Sequence, residues 1–118
     1  MTRNMDLIRE ILIRMRDHEH GYAPKMSIEG YSDEEISFHC YLLHDAGLID
    51  AFVGTTMSST SPDAVPRSLT WAGYEFIENA YDQKIWNESK EVMQKVGAAS
   101  FSVWTSVLTQ TVMKNLGI

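Results

Sequence analysis

The sequence predicts a mainly helical α+β fold, and three patterns predict it. Apolar residues recur at helical spacing near both ends of the chain, from Met5 to Met15 and from Phe101 to Val112. Between them, a Ser32-Asp33-Glu34-Glu35 helix start is followed by a helix-ending Ala46-Gly47. Beyond that glycine, two short apolar runs flank a stretch rich in Gly, Ser, Thr and Pro, the pattern of a hairpin with a long tip. At 118 residues, 44% hydrophobic and 22% charged, the chain is sized for one packed domain and lies far from disordered compositions.

Each element has a local cause. Asn4 caps a first helix in which Met5, Ile8, Ile11, Leu12 and Met15 form one stripe. Asp6, Arg9, Glu10, Arg14 and Arg16 take the opposite face, and the helix ends near Asp17. Pro24 blocks any continuation, and Lys25-Met26-Ser27-Ile28 alternates polar and apolar like a short strand. Ser32 and Glu35 form a capping box that opens helix two at Asp33, with acids at the positive end of its dipole and Ile36, Cys40 and Leu43 on its inner face. Only a residue tolerant of positive φ lets the chain leave this helix at Gly47 and run at once into the strand Leu48, Ile49, Ala51, Phe52, Val53.

Residues 54–66 read as a long mobile loop and residues 67–71 as the returning strand. Trp71, Tyr74, Ile77, Tyr81, Ile85, Val92 and Val96 then predict one helix running to about Lys95, interrupted at Gly97. Phe101, Trp104, Leu108 and Val112 predict a last helix ending at Leu116-Gly117. The order is that of a winged helix-turn-helix with a β-hairpin wing and two C-terminal helices. It reads as a single domain, with a core over residues 1–96 and a closing helix over 97–118.

Composition narrows the function. Sixteen acidic against ten basic residues give a net charge of -6, the opposite of the balance expected on phosphate. The lone Cys40 can make no internal disulfide, which points to the cytoplasm. The longest uncharged stretch, residues 96–113, is too rich in Ser and Thr for a hydrocarbon core, so no membrane partner is expected. A Gly-rich phosphate loop, G-x-S-x-G and H-E-x-x-H are all missing, which predicts a protein without catalysis. Cys40 and His44, with His39, His18 and His20, are residues of the metal-ligating type. Cys40 falls on the core face, where a cysteine acts as a small hydrophobe, so neither metal nor cofactor is expected.

A winged-helix regulator lays its second helix in the major groove, which here would present Ser37, Phe38, Tyr41 and His44. Phosphate contacts would fall to Arg14, Arg16, Lys25 and Arg67. Between Lys25 and Arg67, however, 41 residues hold no Lys or Arg and seven acids: Glu29, Asp33, Glu34, Glu35, Asp45, Asp50 and Asp63. A duplex would be repelled by such a surface. The alternative partner is a protein, met by Phe38 and Tyr41 among these acids, with the acidic face acting as a nucleic-acid mimic. On the last helix, Phe101, Trp104, Leu108 and Val112 form an apolar stripe beside Ser102, Thr105, Ser106 and Thr109. That stripe either builds a homodimer or packs on helix one of the same chain.

The run from His39 through Asp45-Ala46-Gly47-Leu48-Ile49 resembles the end of the recognition helix and the start of the wing in winged-helix regulators. Together with Met5-Asp6-Leu7-Ile8-Arg9, Leu69-Thr70-Trp71-Ala72-Gly73-Tyr74-Glu75-Phe76 and Ile85-Trp86, it resembles the bacterial and prophage family domain of unknown function 2513 over most of the chain. The resemblance implies a cytoplasmic, phage-associated protein and brings no catalytic residue.

Overall fold

The structure, a computed structural model, describes residues 1–96 and 100–117. Along the described residues run α1 (Met5–Asp17), α2 (Asp33–Asp45), β1 (Ile49–Val53), β2 (Ala64–Leu69), α3 (Trp71–Ala80), α4 (Gln83–Val96) and α5 (Phe101–Asn115). The protein is therefore mainly helical, with one small antiparallel sheet, and it forms two compact units, Met1–Glu75 and Phe76–Ile118. Among the described residues, no helix is long and apolar enough to cross a membrane.

In the first unit, the Asn4 side chain accepts the Leu7 N–H at 3.1 Å, and α1 buries Leu7, Ile8, Ile11, Leu12 and Met15. The capping box of α2 is complete: Ser32 Oγ accepts the Glu35 N–H and Glu35 Oε1 accepts the Ser32 N–H, both at 3.1 Å. Gly47, at φ +79°, turns the chain out of α2, and Leu48 N–H closes the helix on the Leu43 carbonyl at 2.9 Å. The hairpin pairs Ile49 with Leu69 through Val53 with Ala64, with an irregularity between Asp50 and Ala51. Thr70 then fastens the start of α3. Its hydroxyl donates to the Gly47 carbonyl at 2.6 Å and accepts the Gly73 N–H at 3.1 Å. A Cβ on Gly73 would lie 2.0 Å from the Leu48 carbonyl oxygen, so only glycine permits this approach of helix to backbone.

Four expectations are corrected. Residues 25–28 form no strand: the backbone hydrogen bond to β2, from Ala23 N–H to the Arg67 carbonyl at 2.8 Å, falls before them. The adjacent Pro24 offers no N–H to extend a ladder. The second strand begins at Ala64, not Arg67, and carries Pro66 opposite Ala51, a place proline can take because a two-stranded sheet has only edge strands.

The connecting loop is accordingly residues 54–63. The helix expected from Trp71 to Lys95 is two helices. Asp82 breaks it by capping α4, its Oδ1 accepting the Ile85 N–H at 3.1 Å. The break changes the buried face. Phe76, Ile77 and Ala80 on α3 and Trp86, Ser89 and Met93 on α4 are buried, while Trp71, Tyr74, Tyr81, Val92 and Val96 are exposed. The expected interruption at Gly97 lies outside the described residues.

The second unit packs α4 against α5. The Trp86 and Trp104 rings stack with centroids 4.8 Å apart, and Phe76 meets Phe101 at 5.1 Å. Beneath them Ser89 Oγ donates to Thr111 Oγ1 at 3.2 Å, satisfying a buried hydroxyl that would otherwise cost stability.

Candidate partner-binding surface

Helix α2 is oriented by its buried face. His39 is 1% exposed, its Nδ1 lies 2.7 Å from the Glu35 carbonyl, and its Nε2 accepts the Asn4 N–H at 2.9 Å. Those two bonds require a neutral imidazole carrying its proton on Nδ1, and they pin α2 to the first residue of the α1 cap. Ser37, Phe38, Tyr41 and His44 are all half-buried, so the side chains expected to face a partner outright are partly covered. Phe38 stands edge-on to the His39 ring at 5.7 Å, and His44 Nδ1 is buried with no hydrogen-bond partner.

The loop of residues 54–63 lies against the start of α2. Glu34 Oε1 accepts hydrogen bonds from Thr60 Oγ1 at 2.7 Å and Ser61 Oγ at 2.8 Å, and those hydroxyls hold its carboxyl below the usual carboxylate range. Inside the loop, Thr56 N–H donates to Ser59 Oγ and Asp63 N–H to Thr55 Oγ1, both at 3.0 Å. The stretch expected to be mobile is thus cross-braced by its own Ser and Thr side chains. No local pattern announces the Glu34 contact, because its partners sit 26 and 27 residues away.

Three of the four cations expected to contact phosphate stand beside a carboxylate. Arg14 pairs with Glu10 at 3.1 Å, Arg16 with Asp17 at 2.9 Å, and Arg67 with Asp50 at 3.7 Å. The Arg67 guanidinium also lies over the Phe52 ring at 5.3 Å and the Tyr22 ring at 5.8 Å. Lys25 is exposed at the rim of a groove of about 450 Å³, which is walled by Pro24, Ile36, Ser37, Cys40 and Pro66. Burial pushes the Cys40 thiol up to about 12, so it is an apolar wall and no nucleophile at neutral pH.

Among the described residues, no three His, Cys, Asp or Glu side chains converge where a metal ion could be held. His18 and His20 lie edge to face at 5.5 Å, and His18 Nδ1 sits 3.0 Å from the Tyr22 carbonyl. On α5, Trp104 and Leu108 are buried within the second unit, and Phe101 and Val112 are half-buried. The surface that sequence reading missed is the outward face of the hairpin, where Phe52 and Val65 stand exposed with Tyr22. Its signal was the strand alternation itself, which puts Phe52 and Val65 on the side opposite Ile49 and Ala64.

A family model described as hypothetical protein (DUF2513) matches residues 2–100. An uncharacterized protein of Haemophilus influenzae is 31% identical over 96 residues, which is 80% of each chain. No solved structure gives a significant match.

Proposed function

The chain belongs to the DUF2513 family of hypothetical proteins, and from that premise we propose that it is a small, non-catalytic accessory protein of the cytoplasm that works by binding another protein through α2 and the loop latched to it. We read the first unit as a winged helix, with α2 as the recognition helix and the β1–β2 hairpin as the wing. The observation that carries the protein-binding reading is the pairing of charges. Arg14, Arg16 and Arg67 each face a carboxylate, while α2 opens with Asp33, Glu34 and Glu35. Affinity for a duplex comes largely from cations that neutralise phosphates and release counterions, and such cations are not gathered on this face. Phe38 and Tyr41 beside these acids suit a protein surface, where aromatic anchors dominate binding energy. With seven acids between Lys25 and Arg67, the fitting partner is a basic protein, towards which this face imitates nucleic acid.

The element order supports a second reading, a regulator that contacts DNA through Arg14, Arg16, Lys25 and Arg67. Fluorescence anisotropy of a labelled random duplex at about 50 and 200 mM salt separates the two, since phosphate-driven binding falls by orders of magnitude across that range. Absence of binding at the lower salt favours the protein partner; steeply salt-dependent binding, lost when Arg14 and Arg16 are changed to Glu, favours DNA. For the protein reading, a partner held by the wild-type chain is released by the Phe38→Ala, Tyr41→Ala double variant.

A further inference from the structure

Resting on the protein-binding reading above, we propose that the groove between Pro24 and β2 takes an extended segment of the partner protein, which adds a strand to the free edge of β2. The register of the hairpin shows that this edge is open. Gly54 N–H donates to the Asp63 carbonyl at 3.3 Å, so the next pair along, Val53 with Ala64, is a non-hydrogen-bonded one. The N–H and C=O of Ala64 therefore point away from β1, on the side where Ala64 and Pro66 wall the groove.

The chain itself covers only the far end of that edge. Ala23 N–H reaches the Arg67 carbonyl at 2.8 Å, and residues 25–28 then make no backbone hydrogen bond to β2. Ala64 is 3% exposed, and among the described residues neither its N–H nor its C=O has a hydrogen-bond partner. A buried main-chain donor and acceptor are rarely left together unpaired, because each costs stability when it is not bonded. Another extended backbone laid along the edge satisfies both.

The walls define what such a segment carries. Ile36 and Cys40 of α2 give the groove, of about 450 Å³, an apolar lining. Alternate side chains of a strand share one face, so two apolar residues spaced by one can lie against that lining. At the rim Lys25 and Asp33 are both exposed, and neither has an ion-pair partner among the described residues. One basic and one acidic residue outside the apolar pair answer these two charges.

Titration of the full chain, followed by its amide NMR signals, with the capped pentapeptides Lys-Val-Thr-Val-Glu and Glu-Val-Thr-Val-Lys tests the proposal in both strand directions. One of them should shift the Ala64, Lys25 and Cys40 signals saturably at up to millimolar concentration and slow hydrogen exchange at the Ala64 N–H. Ala64→Pro removes that donor without touching a bond to β1 and should weaken binding about tenfold. Asp33→Lys should weaken it too. The same peptide methylated on its three central backbone nitrogens should not bind, which tests the strand geometry on the wild-type fold. The proposal is overturned if neither peptide shifts Ala64, or if binding is indifferent to both Ala64→Pro and backbone methylation. A protein partner released by the Phe38→Ala, Tyr41→Ala variant yet held at full affinity by a folded Ala64→Pro chain also overturns it, and leaves the protein-binding reading standing; the duplex titration tests that reading separately.

Discussion

His39 shows how much one side chain decides. It is the acceptor for a backbone N–H at the end of another helix, a role neither its neighbours nor its spacing reveal. Substituting His39→Ala leaves the Asn4 N–H without its partner and opens a cavity, and a loss of about 2–4 kcal/mol in urea unfolding is expected. Cys40 behaves oppositely: its placement on the core face was legible from the α2 periodicity, and burial does the rest. With the thiol raised from 9.0 to about 12, the folded chain holds its proton while the unfolded chain releases it. The resulting stability is complete below pH 9.0 and declines as pH rises through that window to about 12. Urea titrations from neutral to alkaline pH should show this decline in the wild type and a shallower one in Cys40→Ala. At neutral pH a thiol reagent should label Cys40 at the rate at which the protein opens.

Among the elements, the helix starts and ends were readable because caps are local. Asn4, Ser32 with Glu35, and Gly47 act within a few residues of themselves. The split of α3 from α4 was harder to see. The apolar spacing from Trp71 to Val96 continues smoothly through Asp82, and the capping bond of Asp82 forms only once the chain turns. Gly73 marks another junction. Gly73→Ala would drive a methyl group into the Leu48 backbone, and with no flexible atom to yield, a loss of about 1–3 kcal/mol is expected in thermal or denaturant melts. The loop latch responds to pH through Glu34. Because its carboxyl is held below the ordinary range, the latch is intact above the usual carboxylate pKa and is lost as pH falls through the lowered value. Protection factors over residues 54–63, taken relative to the intrinsic exchange rate at each pH, should fall in acid, and Glu34→Ala should lower them in the same way at neutral pH.

At the scale of the whole molecule, the chain divides into two compact units with their own cores. In the second unit Trp86 and Trp104 stack at 4.8 Å and are both buried. Trp104→Ala is expected to cost about 3–5 kcal/mol, and hydrogen exchange should show α4 and α5 losing protection before α1 and α2 do. The spread of charge belongs to this scale too. Ten cations are enough for a basic patch, but Arg14, Arg16 and Arg67 each lie beside an acid, so no such patch assembles from them.

Sequence alone determined the mainly helical α+β class, the stripe of α1, both ends of α2, the hairpin and the family, because each depends on residues adjacent in the chain or one helical turn apart. It likewise determined the net charge of -6. Tertiary structure decided where β2 begins, which face α3 and α4 bury, the bracing of the loop by Glu34, and the aromatic face around Arg67. Those features are contacts between residues far apart in sequence. A contact of that kind leaves no periodicity or spacing behind; it exists only after the folded backbone has brought its two ends within a few ångströms.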